Sequence, residues 1–222
     1  QRVYFAARLS KPFKEIHLYK VPHFKDKKGV QTNVVNGQLV FNDLKGQSLM
    51  MKVGLSSTNT QKALQALDEV KTWSFDRVLK HTRYEWDKEL AKMQVRTDDD
   101  RLKRIFYTAL YHTCLAPVLY SDRDGVYKNA NDKYEKMKGG QRYTVFSLWD
   151  TFRGLNPLFT LTQPERNTDI LNSMLAFYDE NGLLPVWDLS TFETNCMSGY
   201  HAVPVLADAV LKNTPGVDPE RA

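Results

Sequence analysis

The apolar positions follow a two-residue period in the first quarter of the chain and a helical period after it. In the opening stretch Val3, Phe5, Ala7 and Leu9 alternate with other residues, so they share one face of a predicted strand. Similar short runs recur at 15–20, 38–41 and 48–55, punctuated by the turn-forming pairs Asn36-Gly37 and Lys45-Gly46. Strands so short and so regularly spaced predict the end of an antiparallel β-sandwich over residues 1–57.

At Ser56-Ser-Thr-Asn-Thr60 the period lengthens. Helices are predicted at 60–71, with Asn59 or Thr60 as cap, and at 74–95, opened by Ser74 and Asp76. Trp73, Phe75, Val78, Tyr84 and Trp86 are expected to pack the second of these against a neighbour, and residues 58–96 read as a helical linker. From Asp98-Asp-Asp100, three acids suited to a helix N-terminal dipole, the pattern predicts helices at 99–116, 148–162, 164–181 and 195–213. Such a series fits an α/α toroid as well as a bundle. The last residues, with Asp218 as cap and Pro219 behind it, look like the start of one more helix, so the chain reads as a piece of a longer protein.

Composition narrows the field. With 42% hydrophobic and 12% aromatic residues among 222, a packed core is expected and disorder is not. The net charge of +5 is spread along the chain apart from Lys25, Lys27 and Lys28, which argues against a nucleic-acid footprint. No run of apolar residues is long enough for a transmembrane helix, and the first residues lack the apolar centre of a signal peptide. Cys114 and Cys196 are expected to be free thiols.

Three clusters carry candidate chemistry. In Tyr143-Thr-Val-Phe-Ser-Leu-Trp-Asp-Thr-Phe-Arg153, Asp150 and Arg153 sit three apart among aromatic residues. They read either as a helix cap with a local ion pair or as a sugar site, the ring of Trp149 under a pyranose and the two charges on its hydroxyls. A second cluster carries Trp187, Asp188, Glu193, Asn195, Cys196 and His201. Glu193-Thr-Asn195 reads as a helix N-cap or as pocket lining, and His201 as a core histidine or a functional one. The third, Asp122, Asp124 and Gly125, is similar to a calcium loop but lacks the terminal Glu, so a plain turn explains it more economically. Signatures of zinc, phosphate-loop and serine-elbow chemistry are absent.

Taken in order, several stretches resemble the bacterial α-mannosidases of glycoside hydrolase family 92. They are Tyr4-Phe-Ala-Ala-Arg-Leu-Ser-Lys-Pro-Phe13, Lys52-Val-Gly-Leu-Ser-Ser57, Phe106-Tyr-Thr-Ala-Leu-Tyr-His-Thr113, the segment from Tyr143 to Arg153, Gln163-Pro-Glu-Arg166, Glu193-Thr-Asn-Cys-Met197 and Gly199-Tyr-His201. The resemblance implies an α+β multidomain fragment: an antiparallel β-sandwich portion (1–57), a helical linker (58–96) and the first helices of an (α/α)6 catalytic barrel (97–222). It implies a secreted or periplasmic, calcium-dependent exo-α-mannosidase that trims N-glycans or mannans with inversion, α-1,2 linkages being the expected target. Inversion uses two carboxyl groups about 6.5–9.5 Å apart, one protonating the leaving oxygen and one activating water.

The family's acid motif, Glu-Gly-Asn…Trp-Gln-Tyr, and its base motif, Gly-Asn-Asp-Asp, are both missing from these residues. No catalytic residue is therefore expected in this chain, Glu193 standing as the weaker alternative for the acid, with Asp150 or Asp188 as base. Calcium ligands are likewise expected mainly after Ala222. The resemblance assigns Trp149, Asp150, Arg153, Glu193, Asn195, Cys196 and His201 to mannose binding. The competing expectation is a carbohydrate-binding or scaffolding fragment without turnover.

Overall fold

The computed structural model describes residues 3–25, 31–42 and 44–222. The basic cluster lies outside them apart from the backbone of Lys25. Strand β1 (Tyr4–Leu9) pairs antiparallel with β4 (Met51–Ser56), in register from Tyr4 opposite Ser56 to Leu9 opposite Met51. Between them β2 (Glu15–Lys25) and β3 (Gln31–Val40) form a separate antiparallel pair. Lys45-Gly46 turns as expected, both residues having positive φ. Asn36-Gly37 does not: it lies inside β3 opposite Tyr19 and Leu18. Cross-strand pairing overrides a local turn preference there.

Within this chain helix α1 (Thr60–Ala66) covers only one of the two faces of β1. Ala6 is buried against it, whereas Val3 and Phe5 are 62% and 68% exposed. A two-residue period defines two faces but does not say which one meets a partner. Gly54 explains the choice. A Cβ there would stand 2.2 Å from the carbonyl oxygen of Ala63, so only glycine lets α1 approach β4 so closely.

Asn59 caps α1 by accepting from the Lys62 amide at 2.9 Å, and a 3₁₀ turn, Leu67–Glu69, follows. Ser74 caps α2 (Phe75–Leu90), and Asp99 caps α3 (Asp100–His112) by accepting from Arg101 and Leu102. Within this chain α2 packs lightly: it buries none of its residues, and Phe75 and Tyr84 are exposed. Trp86 meets Tyr111 of α3 with ring centres 4.7 Å apart, and Trp73 sits under the Lys52 ammonium at 4.3 Å.

The main core joins four helices and one short strand: α4 (Leu148–Thr151), α5 (Leu155–Thr162), α6 (Pro164–Asn181), α7 (Ala202–Leu211) and β9 (Phe146–Ser147). Phe146, Leu148, Phe159, Met174 and Leu206 lie at its centre. Helix α6 has the expected bounds, opened by Pro164 and ended by Gly182 at φ 78°.

The other two helices differ from expectation for a reason visible in their prolines. The helix expected at 148–162 is broken before Leu155. Pro157 has no N–H to give the Arg153 carbonyl and would crowd it, so a continuous helix fails there. The helix expected at 195–213 starts only at Ala202, because Pro204 is tolerated only in a first turn.

Short antiparallel strands unforeseen in the helical part complete the fold. Strand β5 (Val118–Leu119) pairs with β8 (Tyr143–Thr144), and β6 (Val126–Lys128) with β7 (Tyr134–Lys136). A three-stranded sheet runs in the order β11 (Phe192–Glu193), β10 (Trp187–Leu189), β9. The fold is thus mixed, with antiparallel sheets and helices as expected, and the described residues close no barrel. Asp122 and Asp124 occupy a turn between β5 and β6 and tie it to the end of β4 and the start of α1. Asp122 accepts from Ser56 at 2.8 Å and Thr58 at 2.5 Å, and Asp124 pairs with Lys62.

Candidate functional site

The small sheet brings the two tryptophan–carboxylate stretches together. Ser147 lies opposite Trp187, while Phe146, Asp188 and Glu193 form one cross-strand row. Glu193 is therefore two strand spacings, about 10 Å, from Phe146, and the chain leaving β9 passes straight into α4 with Trp149 and Asp150.

Asp150 is the third residue of α4, where the helix dipole favours a carboxylate. It accepts a 2.5 Å hydrogen bond from the Ser147 hydroxyl. Arg153 follows the helix, its guanidinium 5.2 Å from the Phe152 ring centre. Among the described residues no ion pair joins Asp150 to Arg153, and both side chains are exposed. The desolvation cost of a buried pair does not arise, and both charges remain available to a ligand.

Trp149 is 48% exposed, and its indole meets the His201 imidazole edge to face with centres 5.2 Å apart. His201 also lies 4.3 Å from the Phe152 ring, and its Nδ1 is buried without a hydrogen-bond partner. Gly199, at φ 90°, lets the chain pass over that imidazole: a Cβ there would stand 2.1 Å from its Cε1. The result is an aromatic platform with a carboxylate and a guanidinium nearby, a grouping suited to a polyol with one apolar face.

Glu193 holds its own loop together. Its Oε2 accepts from the Val186 amide at 2.8 Å, both oxygens accept from the Trp187 amide at 3.2 Å, and Oε1 accepts from the Asn195 amide at 3.1 Å. The expected role as an N-cap is corrected, since α7 begins seven residues beyond Asn195. Asn195 sits at φ 53°, and Cys196 is an exposed free thiol whose Sγ lies 3.0 Å from the Thr194 hydroxyl. Cys114 is free as well.

The two aspartates of the paired stretches occupy opposite environments. Asp188 is fully buried; burial pushes its carboxyl up to about 7, against the pull of Arg142 and the Thr191 amide. Arg142, equally buried, donates from Nη1 to the carbonyls of Tyr143 and Ser173 at 2.8 Å each, and its Nη2 lies 3.4 Å from Glu180 Oε2. Tyr127 donates to Glu180 at 2.5 Å, and burial raises the Glu180 carboxyl despite Arg142. Arg142 and Glu180 have no signature in the sequence. They come from a loop before β8 and from the end of α6, and only folding places them in contact.

Among the described residues no group of three or more His, Cys, Asp or Glu side chains converges as a metal site. The Asp122–Asp124 turn is occupied by Ser56, Thr58 and Lys62. Two cavities lie away from the platform, about 790 Å³ between the β6–β7 hairpin and α6, and about 430 Å³ between β4 and residues 66–78.

Residues 61–222 match the glycosyl hydrolase family 92 catalytic domain. No curated protein matches the chain. Among solved structures, the family GH92 α-mannosidase BT3965 from Bacteroides thetaiotaomicron is 36% identical with a TM-score of 0.87, over 99% of this chain and 31% of that one. A complex of BT3965 with mannoimidazole gives 36% identity and a TM-score of 0.86, over 99% of this chain and 30% of that one. The family GH92 inverting mannosidase BT2199 from Bacteroides thetaiotaomicron VPI-5482 gives 28% and 0.84, with coverage of 99% and 30%. The chain thus spans about a third of the length of these relatives. With the family's catalytic domain matched over residues 61–222 and the fold shared almost end to end, this chain belongs to glycosyl hydrolase family 92.

Proposed function

We propose that the protein carrying this chain is an inverting exo-α-mannosidase, acting outside the cytoplasm on N-glycans or mannans, and that this segment supplies part of its mannose-binding subsite. The observation that carries the reading is the exposed platform of Trp149, backed by His201 and flanked by Asp150 and Arg153, in a chain 36% identical to an α-mannosidase of the family. In this reading the indole takes the apolar face of the sugar, and the carboxylate and guanidinium take adjacent hydroxyls. Glu193, Asn195 and Cys196 line the neighbouring loop, with the Glu193 carboxylate already engaged by three backbone amides. That arrangement favours a shaping role over proton donation, so both proton transfers are assigned to carboxylates outside these residues. The division into sandwich portion (1–57), linker (58–96) and barrel portion (97–222) belongs to the same proposal.

Calcium enters as a dependence of the whole protein. The residues described here do not fit a calcium site by themselves, and none is assigned to the ion. The test uses the full-length protein with α-1,2- and α-1,3-linked mannobiose, before and after chelation and with calcium restored. Mannose release that is lost on chelation and returns with calcium is expected. Absence of release from every α-mannoside tried, with calcium present, would sink the proposal. Mannose binding without turnover would support the scaffold reading instead.

A further inference from the structure

The loops beside the platform hold four residues other than glycine in the left-handed region: Val145 at φ 68°, Ser190 at 55°, Thr191 at 72° and Asn195 at 53°. For a β-branched residue such a torsion costs about 1–3 kcal/mol and persists only where surroundings enforce it. Ser190 and Thr191 form the whole connection between β10 and β11, since Leu189 pairs with Phe192. Two-residue hairpin turns with positive φ at both positions favour Asn-Gly. Here Ser-Thr takes that shape, so the turn is held from outside.

Two hydrogen bonds hold it. The Ser190 amide donates to the Thr144 hydroxyl at 2.6 Å, and the Thr191 amide to Asp188 Oδ1 at 2.8 Å. Asp188 and Thr191 are both completely buried, so Asp188 has no route to a sugar in the exposed site. Its row partner across the turn is Glu193, whose carboxylate gathers the amides of Val186, Trp187 and Asn195. A relaxed turn would change the twist between β10 and β11 and carry Glu193, and the loop wrapped around it, away from β9. The second carboxylate oxygen of Asp188 is buried without a hydrogen-bond partner. Leaving it so is costly, and it makes sense if the other oxygen's contact with the turn is what is retained.

We propose that Asp188 is a positioning residue: its carboxylate, with Thr144 on the neighbouring strand, holds Ser190-Thr191 in the strained turn and so fixes the Trp187–Cys196 loop beside the Trp149 platform for sugar binding. The inference rests on reading that platform as the mannose subsite.

The experiment uses the full-length protein carrying Asp188→Ala, Asp188→Asn, or Asp188→Ala combined with Ser190→Asn and Thr191→Gly. Asp188→Ala is expected to raise KM for 4-nitrophenyl α-mannoside about 10- to 100-fold, as small misplacements of binding groups do, with a smaller effect on kcat. Asp188→Asn, which keeps an acceptor for the Thr191 amide, is expected to lose less. The Asn-Gly turn, which takes this shape unaided, is expected to recover most of the lost KM. A role confined to general stability would show no such recovery, and its absence overturns the proposal. Hydrogen exchange over residues 186–195 in the wild type, Asp188→Ala and Thr144→Val, which removes only the acceptor of the Ser190 amide, supplies a readout independent of activity and of the folding of the Ala variant. Faster exchange confined to that loop is expected in both variants; unchanged exchange overturns the proposal. If the wild type releases no mannose, the functional reading fails, while the exchange result still decides the positioning role.

Discussion

The indole of Trp149 meets the imidazole of His201 edge to face, with ring centres 5.2 Å apart. Trp149 belongs to α4, and His201 immediately precedes α7. The contact therefore pins the exposed ring to the start of a helix whose other face is in the core. Aromatic pairs of this geometry add about 0.5–1.5 kcal/mol beyond the area they bury.

From this follows an expected loss of affinity. Replacing Trp149 by Ala removes an apolar surface worth about 1.5–3 kcal/mol to a ligand that covers it, roughly ten- to hundredfold in KM. His201→Ala, which removes only the support, is expected to raise KM less. Steady-state kinetics on an aryl α-mannoside checks both, and a Trp149→Ala enzyme with unchanged KM excludes the ring from the subsite.

Asp150 and Arg153 face outward and form no ion pair with each other, so truncating either leaves no buried charge behind. Asp150→Asn and Arg153→Met are each expected to weaken mannose binding by about 1.5–3 kcal/mol, the value of a charge-assisted hydrogen bond. Thermal stability should stay nearly constant, as for surface substitutions generally. Titration calorimetry alongside thermal melts separates the two effects. A falling Tm with unchanged affinity would reverse the assignment.

Arg142 and Glu180 present the opposite case, with side chains 0% and 6% exposed. Arg142→Ala strands the Glu180 carboxylate and is expected to cost about 3–5 kcal/mol of stability. Arg142→Met with Glu180→Leu, which removes both charges, is expected to cost much less. Denaturant unfolding of the three proteins measures the difference.

Gly54 should accept no side chain. With its position for a Cβ 2.2 Å from the Ala63 carbonyl, Gly54→Ala must push α1 off β4, at an expected cost of about 1–3 kcal/mol. An unshifted unfolding midpoint would show that the helix yields freely.

Asp188 also predicts how stability varies with pH. Its folded-state carboxyl is raised to about 7 by burial, from the 3.8 of an unperturbed aspartate. The folded protein then binds the extra proton between those values. The contribution is fully present at low pH and is lost as pH rises through about 7. The charged groups facing it are Arg142, which opposes the shift, and Glu180, which adds to it. Asp188→Asn cannot ionise, so its stability relative to wild type should improve between pH 5 and pH 8. A gain of about 2 kcal/mol would appear as roughly 4–8 °C in Tm for a cooperative unit of this size. Parallel melts at the two pH values test it, and a constant difference between the two proteins would contradict it.

Much of this was written in the sequence because it depends on local chemistry. Asn59, one of the two caps expected, closes the start of α1, and Ser74 opens α2 as expected, since a short polar side chain beside an apolar period leaves few alternatives; within the expected acidic triplet it is Asp99 that caps α3. Pro164 and Gly182 fixed both ends of α6. The ordered stretches from Tyr4 to His201 were enough to point to the family. Pro157 and Pro204 mark helix boundaries that the apolar period alone runs through, because a period of side chains does not register a missing amide.

What only the tertiary structure decided is which surfaces meet. Alternation in β1 defined two faces, but Gly54 and Ala63 determined that Ala6 faces inward. Trp149-Asp150 and Trp187-Asp188 are identical dipeptides in the sequence. Yet Asp150 ends in solvent on a helix, while Asp188 lies at zero exposure on a strand, over a buried Arg142 supplied by a distant loop. Local pattern specifies what a segment can form. Burial and electrostatic environment come from segments far apart in the chain, and no single stretch contains them.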